Sequence, residues 1–301
     1  MTKTDWDAVS QLIYDSTNGW YQRRGLEPIF QNGPASTRLF CEVYEALDPG
    51  CCVLAIHPAS NRVAGSCFFH PRETHVSLGI MNVHPEFFGL GIASQLLQYV
   101  IEQAERLTLP IRLVSSAMNL DSFSLYNRAG FVPRSVYQDM LIAVPANGLS
   151  WRPKGMDRVR NAELADVSQL VELEMAVNQI SREGDFRYFI ENRQGIWHMS
   201  VLENEKGEVQ GFLASVNHPG SNMLGPGIAR DAEVAAALIA SELDHHRGRS
   251  PVVLVPTNET GLVQQLYGAG ARNCELHFGQ VRGDYVPARG VVMPSFMPET
   301  G

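Results

Sequence analysis

Apolar positions along the chain follow two rhythms, and the switches between them divide the sequence into elements. Trp6, Val9 and Ile13 recur at spacings of three and four, which predicts a helix near Asp5–Ser16. A polar, irregular stretch with room for a second helix follows, to about Leu47. Short β-rich runs then predict strands at Cys51–His57 and Arg62–Phe69, joined by the turn Pro58–Asn61, with a third strand at His75–Val83. The helical rhythm returns over Gly91–Arg106, where Ala93, Leu96, Leu97, Val100, Ile101 and Ala104 form one stripe. A strand at Ile111–Ala117, a short helix at Asp121–Arg128 and a long strand at Phe131–Val144 complete the series.

The turn-rich run Pro145–Gly155 reads as a linker. Beyond it the order repeats. Strands are predicted at Asp157–Arg160, Ile196–Leu202, Glu208–Val216, Val252–Val255 and Ala271–Val281, with helices at Leu164–Met175, Ala232–Leu243 and Gly261–Tyr267. Gly65 and Gly211 occupy matching hairpin positions, and Gly130 and Gly270 both precede the last long strand. The expectation is one α/β fold used twice, with domains at 1–146 and 156–301.

Composition narrows the function. The 301 residues are 45% hydrophobic, enough for a core in each half. The net charge of −8 is shared by both halves, and no basic stripe suggests nucleic acid. No apolar stretch approaches the roughly 18 residues of a membrane helix. The opening residues carry acids where a secretion signal would be basic and apolar, so a cytoplasmic protein is expected. Cys41, Cys51, Cys52, Cys67 and Cys274 show no zinc-ligand spacing and read as small buried hydrophobes, and no metal is expected.

The segment Val83-His-Pro-Glu-Phe-Phe-Gly-Leu-Gly-Ile-Ala-Ser-Gln-Leu-Leu97 carries the chemistry. A strand ends, glycines permit a tight turn, and a helix starts at once. The amides of Gly89 to Ala93 then face one volume in front of a helix dipole, an arrangement suited to a diphosphate. Asn119 follows the next strand, and Leu125-Tyr126-Asn-Arg-Ala-Gly130-Phe131 follows Asn119. Over about residues 50–144 this combined pattern resembles the GNAT superfamily of acyl-CoA N-acyltransferases.

The resemblance implies a mixed, mostly antiparallel sheet flanked by helices, whose central strands splay to admit acetyl-CoA. Met81, Asn82 and Val83 match the strand end that pairs with the pantetheine arm, and an amide near Val83 would stabilise the oxyanion. Phe88, Gly89, Leu90, Gly91, Ile92, Ala93 and Ser94 match the diphosphate loop. Asn119 and Ser122 match positions that line the pantetheine. Tyr126 matches the acid that protonates the departing thiolate. The family usually has Arg or Gln where Phe88 stands, so one polar contact is missing. His75 occupies the strand start where some members carry a catalytic glutamate, and it is the expected base. Asp15, Trp20, Tyr21 and Glu45 lie in the helical region that covers the substrate mouth in this family, and they read chiefly as a solvated helix face with core aromatics.

The second half resembles a degenerate C-terminal GNAT-like domain. Pro226 lacks an amide donor, Asp231 is placed to cap the following helix, and Leu266 falls where Tyr126 stood. The implied activity is acetyl transfer to a primary amine, on a small molecule or a peptide, by direct attack. The alternative is a non-catalytic acyl-CoA sensor, which Phe88 favours. The resemblance leaves room for a homodimer. It also implies a strand before the first helix, where only Met1–Thr4 are available.

Overall fold

A computed structural model describes residues 1–296. Among the described residues the predicted rhythms become twelve strands in one mixed, mostly antiparallel sheet. The first half contributes α1 (Trp6–Gln22), α2 (Arg38–Leu47), β1 (Cys52–His57), β2 (Arg62–Pro71), β3 (Val76–Val83), α3 (Ile92–Leu107), β4 (Ile111–Ser116), α4 (Leu120–Arg128) and β5 (Val132–Leu141). The second contributes β6 (Val159–Asn161), α5 (Val167–Asn178), α6 (Glu183–Glu191), β7 (Trp197–Glu203), β8 (Val209–His218) and β9 (Ser221–Ala229). It continues with α7 (Ala232–Asp244), β10 (Val252–Pro256), α8 (Thr260–Gly268), β11 (Arg272–Arg282) and β12 (Val291–Met293).

Four elements depart from the sequence expectation: α6 and β12 fall in stretches where no element was expected, and two more differ in kind. No strand precedes α1; instead the Met1 amino group donates to the Cys52 carbonyl at 3.0 Å, on the open edge of β1. Ser221–Ala229 is a full strand, although its Gly-Pro-Gly centre reads as a turn.

Strand order is the larger departure. It runs β1-β2-β3-β4-β11-β5-β10-β9-β8-β7-β6, so the last long strand of each half sits beside the other half. β11 pairs with β4 from Arg282↔Ile111 to His277↔Ser116, and β5 pairs with β10 from Leu141↔Val252 to Tyr137↔Pro256. The two exchanged strands pair with each other along nearly their whole length. Their burial patterns are almost identical, exposed through the first half and buried near the end, so either one satisfies either slot. The helix preceding each strand stays with its own half.

Packing follows this topology. α1 and α2 cover one face of the first half, and their core runs unbroken from Ile13, Tyr44 and Phe68 into Leu170, Phe186 and Phe212 of the second. α3 and α4 cover the opposite face. Polar bridges also cross between the halves. Arg72 pairs with Asp48 at 2.6 Å and with Asp185 at 2.7 Å, and Asp48 also holds His70 Nδ1 at 2.6 Å. Ser181 donates to Thr74 Oγ1 and Glu73 Oε2.

Cys41, Cys52 and Cys67 are buried as expected, Cys51 is half-buried, and Cys274 is exposed. Among the described residues no helix is long and apolar enough to cross a membrane.

Candidate active site

β3 and β4 run parallel, but they pair only at Val76↔Ile111 and Ser77↔Arg112. Beyond Ser77 they part. On its other side β3 stays bonded to β2, with Gly65 opposite Val83, and the His84 amide donates to Ala64 at 2.8 Å. Alternation along an antiparallel ladder then turns the peptide groups of Met81 and Val83 away from β2, toward the gap. A pantetheine arm has amides that match such an unpaired strand edge. The gap opens into a cavity of about 680 Å³.

The cavity gathers Met81, Asn82, Asn119, Ser122 and Tyr126, so the structure brings these predicted residues together. Asn119 caps α4, its Oδ1 accepting the Ser122 amide at 3.1 Å. Tyr126 is buried on the inner face of α4, its ring 5.8 Å from that of Phe131. The Asn82 side-chain oxygen is buried and has no hydrogen-bond partner, an acceptor awaiting a donor.

The segment Phe88–Ser94 lies outside the cavity lining, at the exposed start of α3. Gly89 and Gly91 both take positive φ, 81° and 76°, and Gly91 is the helix N-cap with no side-chain bond. The first amides of α3 therefore have no side-chain cap, as an anion site requires. Phe88 is 49% exposed, and the Arg23 guanidinium sits 5.1 Å from its ring centre. A cation from the end of α1 thus stands beside the loop where the family usually has a polar side chain.

His75 is placed elsewhere. It is 2% exposed and does not line the cavity. Its two ring nitrogens lie 3.1 Å from Thr74 Oγ1 and from Ser77 Oγ. Burial, reinforced by the charges of Arg112 and Arg182, holds it well below the ordinary histidine value, so it stays neutral. Asp15, Trp20 and Glu45 are also outside the cavity, whereas Tyr21 lines it.

Three cavity residues that sequence reading missed come from the exchanged strands. Asp139 on β5 and Glu275 and His277 on β11 are nearly inaccessible. His277 Nδ1 pairs with Asp139 Oδ1 at 2.8 Å, and its Nε2 lies 3.9 Å from Glu275 Oε1. Glu275 accepts from the Tyr21 hydroxyl at 2.8 Å and from Ser116 Oγ. Burial and that carboxylate raise the Tyr21 phenol above its usual range, so it remains a donor. The available signal was the run Cys274-Glu275-Leu276-His277-Phe278, which puts two ionisable groups on one face of a strand, with apolar residues between and after them.

In the second half the corresponding strand edge is covered. β9 and β10 pair in parallel only at Met223↔Val252 and Leu224↔Val253, and then part as β3 and β4 do. Gly211 faces Ala229 as Gly65 faces Val83, so Gly227–Ala229 stand where Met81–Val83 stand. There β12 pairs with Gly227, Ile228 and Ala229. A Cβ on Gly227 would meet Met293 Cε at 3.0 Å and Leu213 Cδ1 at 2.5 Å, so both side chains pack directly on this backbone. Asp231 caps α7 through the Val234 amide, Leu266 is fully buried, and the Tyr267 hydroxyl is spent on Gln138.

Comparison with known proteins agrees with this geometry. Residues 6–131 match the acetyltransferase (GNAT) family, and residues 172–277 match an acetyltransferase (GNAT) domain. The chain is a tandem GNAT protein. Membership in the GNAT family makes it an acyl-CoA-dependent acetyltransferase. Among curated proteins no sequence matches it. Solved structures share its fold along nearly their whole length. A candidate acetyltransferase from Pyrococcus horikoshii superposes with a TM-score of 0.75 at 15% identity, over 99% of this chain and 93% of that one. A GCN5-related N-acetyltransferase from Sphaerobacter thermophilus gives 0.64 at 18% identity, over 96% of each. A tandem GNAT protein from the clavulanic acid biosynthesis pathway gives 0.58 at 12%, over 94% of this chain and 97% of that one.

Proposed function

We propose that the protein moves the acetyl group of acetyl-CoA to a primary amine by direct attack, using the gap of its first half alone. The contrast between the two strand edges carries this reading: that of β3 is unpaired and opens on the cavity with Tyr126, and the matching edge of β9 is covered by β12. The diphosphate rests on the amides of Phe88–Ser94, with Arg23 supplying positive charge. An amide of β3, at Val83 or Met81, stabilises the oxyanion.

A free alkylamine, with a pKa near 10.4, is protonated at neutral pH and cannot attack. The base expected at His75 is therefore assigned to His277, the imidazole that lines the cavity. The ammonium gives one proton to His277 Nε2. The freed lone pair forms the C–N bond as the C–S bond breaks, and the sulfur takes the Tyr126 hydroxyl proton. Loss of the remaining surplus proton from nitrogen restores the phenol. The balance is ammonium plus acetyl-CoA giving N-acetylamine, CoA thiol and one proton released to water.

Calorimetry with acetyl-CoA, followed by CoA release with primary amines, tests this reading. Binding with sustained release supports it. Binding without turnover by any amine would make the protein a sensor, the alternative that Phe88 favours.

A further inference from the structure

The acceptor side of the cavity has one sign of charge. Glu27, Asp139 and Glu275 line it, and among the described residues no lysine or arginine does. Two of these carboxylates sit deep in the wall, each already bonded to a neutral donor or an imidazole. Asn82 adds a buried oxygen without a partner. Around these acceptors stand the rings of Phe30, Phe40 and Phe296, the last 4.6 Å from the His277 ring.

From this lining we infer that the acceptor is a positively charged primary amine with an apolar body and no acid group, its ammonium docked against Glu275 and Asp139. This rests on the acetyltransferase reading above. A carboxylate on the acceptor, as in a free amino acid, would face buried charges of its own sign with no cation to meet it. An ammonium finds acceptors on several sides, and aromatic faces favour a cation as well as an apolar body. Both exchanged strands contribute, so the pocket exists only when the two halves are assembled: Asp139 comes from the first and Glu275 from the second.

A divalent metal is the competing occupant, because Asp139, Glu275 and His277 each bring a ligand atom within 4.8 Å of the others. The hydrogen-bonding favours an ammonium. Glu275 already takes two hydroxyl donors and His277 Nδ1 is committed to Asp139, which leaves acceptors for N–H groups rather than an open set of ligands.

The test uses the full-length protein saturated with CoA and two probes of like shape, phenethylammonium and 3-phenylpropionate, with binding read by calorimetry. The ammonium is expected to bind at least tenfold more tightly than the acid. Glu275→Gln should weaken it at least tenfold while CoA affinity stays within twofold, which also reports that the variant is folded. Binding of the acid, binding of neither probe, or an unchanged ammonium affinity in Glu275→Gln overturns the inference. So does Zn²⁺ alone binding more tightly than the ammonium and displacing it. If CoA itself fails to bind, the acetyltransferase reading falls as well; if CoA binds and only the probe results fail, the acceptor class alone is wrong.

Discussion

Tyr126 sits on the inner face of a nine-residue helix whose start is pinned by Asn119, so its hydroxyl is positioned by the fold rather than by a mobile loop. Tyr126→Phe keeps the ring and removes only the proton; kcat should fall at least tenfold with the KM for acetyl-CoA within about twofold. His277→Gln should likewise lower kcat more than either KM, and His75→Gln should alter stability with little effect on turnover per folded molecule. Arg23→Ala is expected to raise the acetyl-CoA KM several-fold, and more at low salt than at high salt. These roles were unevenly legible. Tyr126, Asn119 and the glycine turn lie within one local stretch, and a local motif exposes them. Arg23, Glu275 and His277 act across the fold from other elements: strand alternation puts Glu275 and His277 on one face, but says nothing of the cavity that face lines.

A second residue-scale prediction concerns acid. Burial pushes the His246 imidazole down from 6.5 to about 4, and burial likewise holds His75 well below the ordinary value. Both are neutral when folded and take up a proton more readily when unfolded. Stability is therefore complete above about pH 6.5 and falls as the pH drops toward 4, by on the order of 2 kcal/mol for His246 alone. Chemical denaturation across that range should show the loss, and His246→Gln should flatten it.

Among the elements, β5, β11 and β12 decide the chemistry. β12 occupies the place of a pantetheine arm against Gly227–Ala229, so calorimetry should count one acetyl-CoA per chain. Hairpins such as β1–β2 and long stripes such as α3 were readable because their periodicity is intrinsic to the segment. β9 was hidden because Gly225-Pro-Gly227 carries the composition of a turn, while its glycines admit neighbouring backbone and side chains at close range. The exchange of β5 and β11 was unreadable for a different reason. Alternation fixes which face of a strand is buried and says nothing about its neighbour, and these two strands bury the same positions.

For the whole molecule, the shared core and the crossed strands bind two similar folds into one cooperative unit. Residues 1–146 expressed alone would leave the β4 edge without β11 and β5 without β10, and should not yield a folded, monomeric species; the second half alone faces the mirrored defect. Scanning calorimetry of the full chain should give one transition, whereas independent domains would give two. Arg72→Met removes the cation shared by Asp48 and Asp185, and the two partly buried carboxylates left behind should lower stability by about 3 kcal/mol.

The crossed strands also impose a timetable on synthesis. β4 ends at Ser116, and the strand that covers its edge begins only at Arg272. At ordinary elongation rates of about 5–20 residues per second, the nascent first half waits on the order of ten to thirty seconds with a bare, hydrogen-bonding strand facing the cell. During that interval its nearest partner is the β11 of a completed neighbour on the same message. Slowing translation over residues 117–271 should therefore increase intertwined dimers and aggregates, while the sequence, and the stability of whatever folds correctly, stay the same.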